Sequence, residues 1–180
     1  SVTVDSTEPT FVNAASISPN SGITTSSVLT CNGLASDPDG GVITYSYSWT
    51  SALNGNLAST QAITLDSSIT QPADQISCTI IATDPAGDTA SSSATVLVGN
   101  QAPSLAGVTV SPASGVSTSS TLTCSGTSSD ADGESLTETF SWTTGGVSLG
   151  NTASITLTPA TVSPGAVVSC TMTATDSFGA

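Results

Sequence analysis

The chain has 180 residues, thirteen carboxylates and no lysine, arginine or histidine, so its formal net charge is −13. A surface without basic groups has nothing to attract a phosphate backbone or an anionic lipid surface, which disfavours nucleic acid and such membranes as partners. With no histidine or lysine there is no general base for a Ser, Cys or Thr nucleophile, and no apolar run is long enough to span a bilayer as a helix, so neither an enzyme of that kind nor membrane insertion is expected.

In chain order, strands are predicted over 14–18, 27–32, 42–50, 55–58, 61–66, 75–83 and 89–98. A second series follows over 107–111, 120–125, 136–143, 146–150, 152–158 and 166–175. Each alternates apolar residues with Ser or Thr and is bounded by Gly, Pro, Asp or Asn. Ser and Thr supply 65 residues, which suits solvated strand faces that carry no charge. The period of two puts Leu29, Cys31, Tyr47, Trp49, Ile63, Leu65, Ile76, Cys78, Ile80 and Ala82 on one inward face. In the second series it selects Leu122, Cys124, Phe140, Trp142, Ile155, Leu157, Val168, Cys170, Met172 and Ala174.

The two series are copies of one pattern. SVLTCNGLASDPDG, YSYSWT, ITLDSS and ISCTIIATDPAG in the first become STLTCSGTSSDADG, ETFSWT, ITLTPA and VSCTMTATDSFG in the second. Cys31, Trp49 and Cys78 recur as Cys124, Trp142 and Cys170, shifted by 93, 93 and 92 residues. Repeats of this kind act through length, spacing and surface. The segment before the first copy aligns with the segment between the copies, Pro9 falling on Pro103 and Pro19 on Pro112. Residues 1–12 therefore read as the last strand of a preceding repeat, or a donor strand, plus a linker. Residues 13–100 form the first sandwich, and 101–180 a second that lacks its C-terminal strand. Two readings stand open. The chain is a window on a longer array, or it is a subunit whose Ser1, Val2, Thr3, Val4 and Asp5 complete the open sheet edge of a neighbour.

Two cysteines per copy, at matched positions, give the pairs Cys31–Cys78 and Cys124–Cys170. Each closes a loop worth about 4 kcal/mol on the chain-entropy account. Persistent disulfides imply an oxidising compartment, hence an extracellular or cell-surface location; reduced core cysteines are the alternative. Trp49 and Trp142 are core residues against these bridges. A Trp 18 residues after the first Cys, followed by a second Cys, resembles immunoglobulin-type sandwiches. The stretches SDPDG-VITYSYSWT and SDADGESLTETFSWT are similar to PKD-type and related bacterial Ig-like repeats. The resemblance implies an all-β chain of tandem seven-stranded Greek-key sandwiches, of the kind found in stalks of secreted surface proteins, adhesins and filaments.

Asp37, Asp39 and Asp84 recur as Asp130, Asp132 and Asp176, with Asp88 added in the first copy and Glu134 in the second. In a sandwich, the turn before the Trp strand and the turn after the second Cys strand can lie at one end. The clustered carboxylates then have two readings: turn formers, since Asp caps local amides and Gly takes positive φ, or hard oxygen ligands for calcium. No other cofactor is expected. The functional expectation is a semi-rigid extracellular spacer or filament subunit, joined head to tail by strand complementation or as part of a longer array, with copies of itself or adjacent repeats as partners. The alternative is an adhesin module that binds a glycan or protein receptor through its variable loops at 54–60 and 144–151.

Overall fold

The structure is a computed structural model that describes residues 1–2 and 5–180. Thr3 and Val4 of the expected donor segment lie outside the described residues. The chain divides into two units, Ser1–Asn100 and Gln101–Ala180.

The first unit is a seven-stranded sandwich. One sheet has the order β1 (Thr10–Ser18), β2 (Val28–Ser36), β5 (Ala62–Thr64). The other has the order β4 (Gly55–Ala58), β3 (Thr44–Ser51), β6 (Gln75–Thr83), β7 (Thr89–Leu97). The second unit repeats the arrangement with six strands. β8 (Ser104–Ser111), β9 (Thr121–Ser129) and β12 (Ser154–Thr156) form one sheet; β10 (Thr137–Thr144), β11 (Val147–Gly150) and β13 (Val168–Thr175) form the other. β13 pairs with β10 alone, whereas its counterpart β6 lies between β3 and β7. Residues 101–180 hold no strand that corresponds to β7, as the repeat alignment predicts.

Several strands run further than their alternation suggests. β1 reaches back to Thr10 because Phe11 pairs with Ala35, with register shifts at Asn13 that break the period of two and hide the first half of the strand. β2 continues past Gly33, where alternation stops. A Cβ at Gly33 would meet Ile80 Cδ1 at 2.7 Å and Phe11 Cε1 at 3.3 Å, so glycine lets the two sheets approach. Gly126 has the same place in β9, close to Met172 and Val108.

Each core is organised around one Trp and one bridge. Trp49 on β3 lies directly opposite Cys78 on β6, and Cys78 bonds across the sandwich to Cys31 on β2. Trp142, Cys170 and Cys124 repeat this. Both Trp side chains are fully buried, and each indole N–H donates to a carbonyl, Thr60 O at 2.9 Å and Thr152 O at 2.8 Å. The outer faces carry hydroxyl pairs between neighbouring strands: Thr79 with Ser93, Thr123 with Ser154, Thr121 with Thr156 and Ser104 with Ser129, at 2.8–3.0 Å.

The two cores differ in how well they close. Twelve buried residues form the first cluster and seven the second. Ile76 and Cys78 are fully buried, but their counterparts Val168 and Cys170 are only partly so. Val96 and Val98, at the end of β7, cover this region in the first unit and have no counterpart in the second. Tyr47, Phe140 and Ala174, expected in the cores, are half-buried. Ile17, Ile23, Val96 and Val98 belong to the first core although the alternation does not select them.

This difference has a thermal consequence. Calorimetry should resolve two transitions, the second unit melting first. Removing Cys124–Cys170 by double Ala substitution, at a loss of about 4 kcal/mol, should abolish the lower transition. Removing Cys31–Cys78 should shift the upper transition downward and leave it cooperative.

Candidate functional site

The acidic turns are built the same way in both units. In the first, Asp37 O accepts from Gly40 N at 3.1 Å, and Asp37 Oδ1 accepts from Asp39 N at 2.8 Å. Gly40 sits at φ +84°, a conformation L side chains rarely adopt. Asp130, Asp132 and Gly133 (φ +79°) reproduce the turn, with Asp130 Oδ1 accepting from Asp132 N at 2.7 Å. The turn after the second Cys strand is closed by a buried acid in both units. Asp84 Oδ1 accepts from Gly87 N and Asp88 N at 2.8 and 2.9 Å; Asp176 Oδ1 accepts from Phe178 N and Ala180 N, both at 2.9 Å. These two acids are buried with no basic side chain in the sequence to pair with, and backbone amides supply the compensating donors.

A second role emerges that alternation and turn chemistry do not reveal. Thr7 N donates to Asp39 Oδ2 at 2.7 Å, and Gln101 N donates to Asp132 Oδ2 at 2.6 Å. Each unit thus clamps the chain that enters it with the third residue of its DxDG turn. The second clamp is tighter: Gln101 Nε2 also donates to Asp132 Oδ1 at 3.0 Å, and Asp132 is 3% exposed whereas Asp39 is open to solvent. In the first unit Ser6 Oγ also reaches Asp84 Oδ2, at 3.3 Å. The signal in the sequence is the alignment of Thr7 with Gln101 at equal distance before Pro9 and Pro103.

The turns meet at one end of each unit. In the first, a Cβ on Gly41 would lie 2.4 Å from Asp37 Oδ2 and 2.6 Å from Pro85 Cδ. Position 41 separates the two sites chemically. Gly41 N donates to Asp37 Oδ2 at 2.8 Å, so that carboxylate has partners on both oxygens. The aligned residue is Glu134. There the matching oxygen, Asp130 Oδ2, is buried without a hydrogen-bond partner, as is Glu134 Oε2. Glu134 Oε1 accepts from Ser177 Oγ at 3.0 Å. Ligand atoms of Asp130, Asp132 and Glu134 all lie within 4.8 Å of one another. Among the described residues, Asp37, Asp39, Asp84 and Asp88 are not brought into such a group. Desolvation raises the Glu134 pKa above the ordinary carboxylate range, the charges of Asp176, Asp130 and Asp132 add to the rise, and the Ser177 hydrogen bond opposes it.

A further acid, Asp74, was not singled out by the sequence. It is fully buried in the first unit, where its Oδ2 accepts from Ser51 Oγ at 2.6 Å and Thr70 Oγ1 at 3.1 Å. Its place in the second copy is taken by Ala166.

No protein-family model matches the chain, and no curated protein matches it. Among solved structures it is similar to the three N-terminal domains of the bacteriophage RB49 highly immunogenic outer capsid protein (Hoc). That likeness has 15% sequence identity and a TM-score of 0.33 over 93% of this chain, which spans 58% of the other.

Two outcomes follow from the site. Asp132→Ala should cost about 1–3 kcal/mol, the range for stranding a buried donor, and should speed hydrogen exchange at the Gln101 amide; Asp39→Ala should cost less. For Glu134 the folded pKa lies above the unfolded one, so its contribution is favourable below the unfolded value and is lost as pH rises through the folded value. In metal-free buffer, Glu134→Gln should therefore raise the melting temperature of the second unit at pH 7. The gain should vanish below about pH 4, where glutamate is protonated in both states.

Proposed function

We propose that the chain is a structural extracellular module, a semi-rigid spacer or filament element whose units are joined end to end. The observation that carries this reading is the repeated clamp, Thr7 to Asp39 and Gln101 to Asp132. A carboxylate that holds the first residues of the incoming chain fixes the direction of entry into each sandwich, which is what a spacer needs and a flexible tether does not. The internal disulfides support an oxidising, extracellular setting. Small-angle scattering of the Asp39→Ala/Asp132→Ala variant is the test. Its maximum dimension distribution should broaden relative to the parent. An unchanged distribution, together with specific retention of the parent on a glycan or protein surface, would favour the adhesin reading instead.

Calcium at the second unit is a finer reading, favoured by one observation: two buried carboxylate oxygens, on Asp130 and Glu134, have no donor. A hard cation takes oxygen ligands of this type and would cancel the repulsion that adds to the desolvation-driven rise of the Glu134 pKa. Asp130, Asp132 and Glu134 would hold it, with water supplying further ligands. In the first unit Gly41 stands where Glu134 would be, so the reading predicts one site per chain rather than two. Millimolar calcium should raise the lower thermal transition alone, and Glu134→Gln should remove that rise. A calcium response in the upper transition, or none at all, would defeat it.

A further inference from the structure

The sequence contains two Asn–Gly pairs, Asn32–Gly33 and Asn54–Gly55. In such a pair the glycine amide nitrogen, with no Cβ beside it, can attack the preceding side-chain amide carbon, so the asparagine is chemically labile. The fold treats the two pairs oppositely. Asn32 and Gly33 lie inside β2, where Asn32 is in register with Ser16 of β1. The ladder there fixes the dihedrals that ring closure must rotate. Gly33 is also wedged, since even a Cβ would meet Ile80 Cδ1 at 2.7 Å. Asn54 ends the turn over 52–54, and Gly55 is the first residue of β4. Both are exposed. Gly55 has φ +75°, and a Cβ built on it would meet no atom within 4 Å. Ring closure at this pair has both room and solvent.

Asn54 also holds structure. Its Nδ2 donates to Ile69 O at 3.0 Å, and Ile69 packs against the first core. Its backbone N donates to Ser51 Oγ at 2.9 Å, and that hydroxyl donates to Oδ2 of the fully buried Asp74 at 2.6 Å. The second unit has nothing equivalent: its β10–β11 turn carries Gly145 and Gly146, and Ala166 stands in the place of Asp74.

We propose that Asn54–Gly55 is a site of spontaneous covalent modification, which turns the amide into a carboxylate and loosens the first unit alone. Gly55 N attacks Asn54 Cγ. The N–Cγ bond forms, the Cγ–Nδ2 bond breaks, and the nitrogen leaves as ammonia with the proton that Gly55 N gives up through solvent. Water then opens the cyclic imide at either carbonyl. One opening gives aspartate at position 54; the other gives isoaspartate, whose main chain runs through the former side-chain carbons. Water is the sole co-reactant. Either product loses the donor that faced Ile69 O and adds a negative charge to the turn whose Ser51 holds Asp74, in a chain with no basic side chain to offset it. Isoaspartate also lengthens the turn, so the bond to Ser51 Oγ goes as well.

Peptide mapping by mass spectrometry, on the whole disulfide-bonded chain aged in mildly alkaline buffer, is the primary test and needs no variant. Exchange of the amide nitrogen for oxygen should appear at Asn54 at more than about ten times the rate at Asn32, because reaction at Asn32 waits on local opening of β2. Mildly acidic buffer should slow it, since the attacking nitrogen must shed its proton. Equal rates at the two pairs, or an Asn54 that stays intact, overturns the proposal. Calorimetry reads the consequence. Ageing should lower the upper transition and leave the lower one in place, and unaged Asn54→Asp should show the same fall. Asn54→Gln, which must close a larger ring, should age without it. If aged Asn54→Gln falls as far as the parent, the change belongs to another site and the proposal fails. It fails also if the parent is modified at Asn54 and its upper transition does not move.

Discussion

A chain with thirteen carboxylates and no basic side chain must find every partner for a buried acid among N–H and O–H groups. Most of the local architecture follows from that constraint. Asp84 and Asp176 close the turns that follow β6 and β13 by accepting two amides each. Asp132 takes the amide and side chain of Gln101, and Asp74 takes two hydroxyls on Oδ2 while its buried Oδ1 has no donor. A carboxylate that accepts several N–H bonds is well compensated without a counter-charge. In this protein acids are therefore structural fasteners, and the places where one oxygen goes without a donor are few enough to stand out.

The second constraint is that a sandwich needs both layers complete to shut its core. The first unit meets it because β7 lies along β6, with Val96 paired to Ile76 and both Val96 and Val98 in the buried cluster. In the second unit the same floor is left open, and Val168, Cys170 and Val116 gain exposure together. Residues 1–100 and 101–180 thus show one sequence pattern with seven strands and with six.

Much of this was legible in the residues. The recurrence of Cys, Trp and Cys located both cores and both bridges, because a period of two and an inter-sheet disulfide leave little freedom to the strands that carry them. The last strand's absence was visible as a break in the repeat. Less legible were the features that depend on close approach. Gly33 read as a strand end, whereas it is where β2 meets Ile80. The bulge at Asn13 concealed half of β1. The clamps left only an indirect trace, the alignment of Thr7 with Gln101, because a hydrogen bond between Asp132 and a backbone amide 31 residues away has no local pattern. Position 41, glycine in one copy and Glu134 in the other, was visible as a difference, but its meaning needed the burial of Asp130 Oδ2.

The hydroxyl pairs on the outer faces have a further consequence. In each, either oxygen can be the donor, so Thr79 and Ser93, or Thr121 and Thr156, form links with no fixed polarity and no ionisable proton. Most of the acids sit in turns and most of the sheet surface is made of alcohols. The broad flanks of each sandwich are consequently electrically silent. Their wetting stays constant through swings of acidity or ionic strength that would alter a lysine- and glutamate-coated surface, and with no lysine or arginine anywhere, proteases that require a cationic side chain find no site to cut.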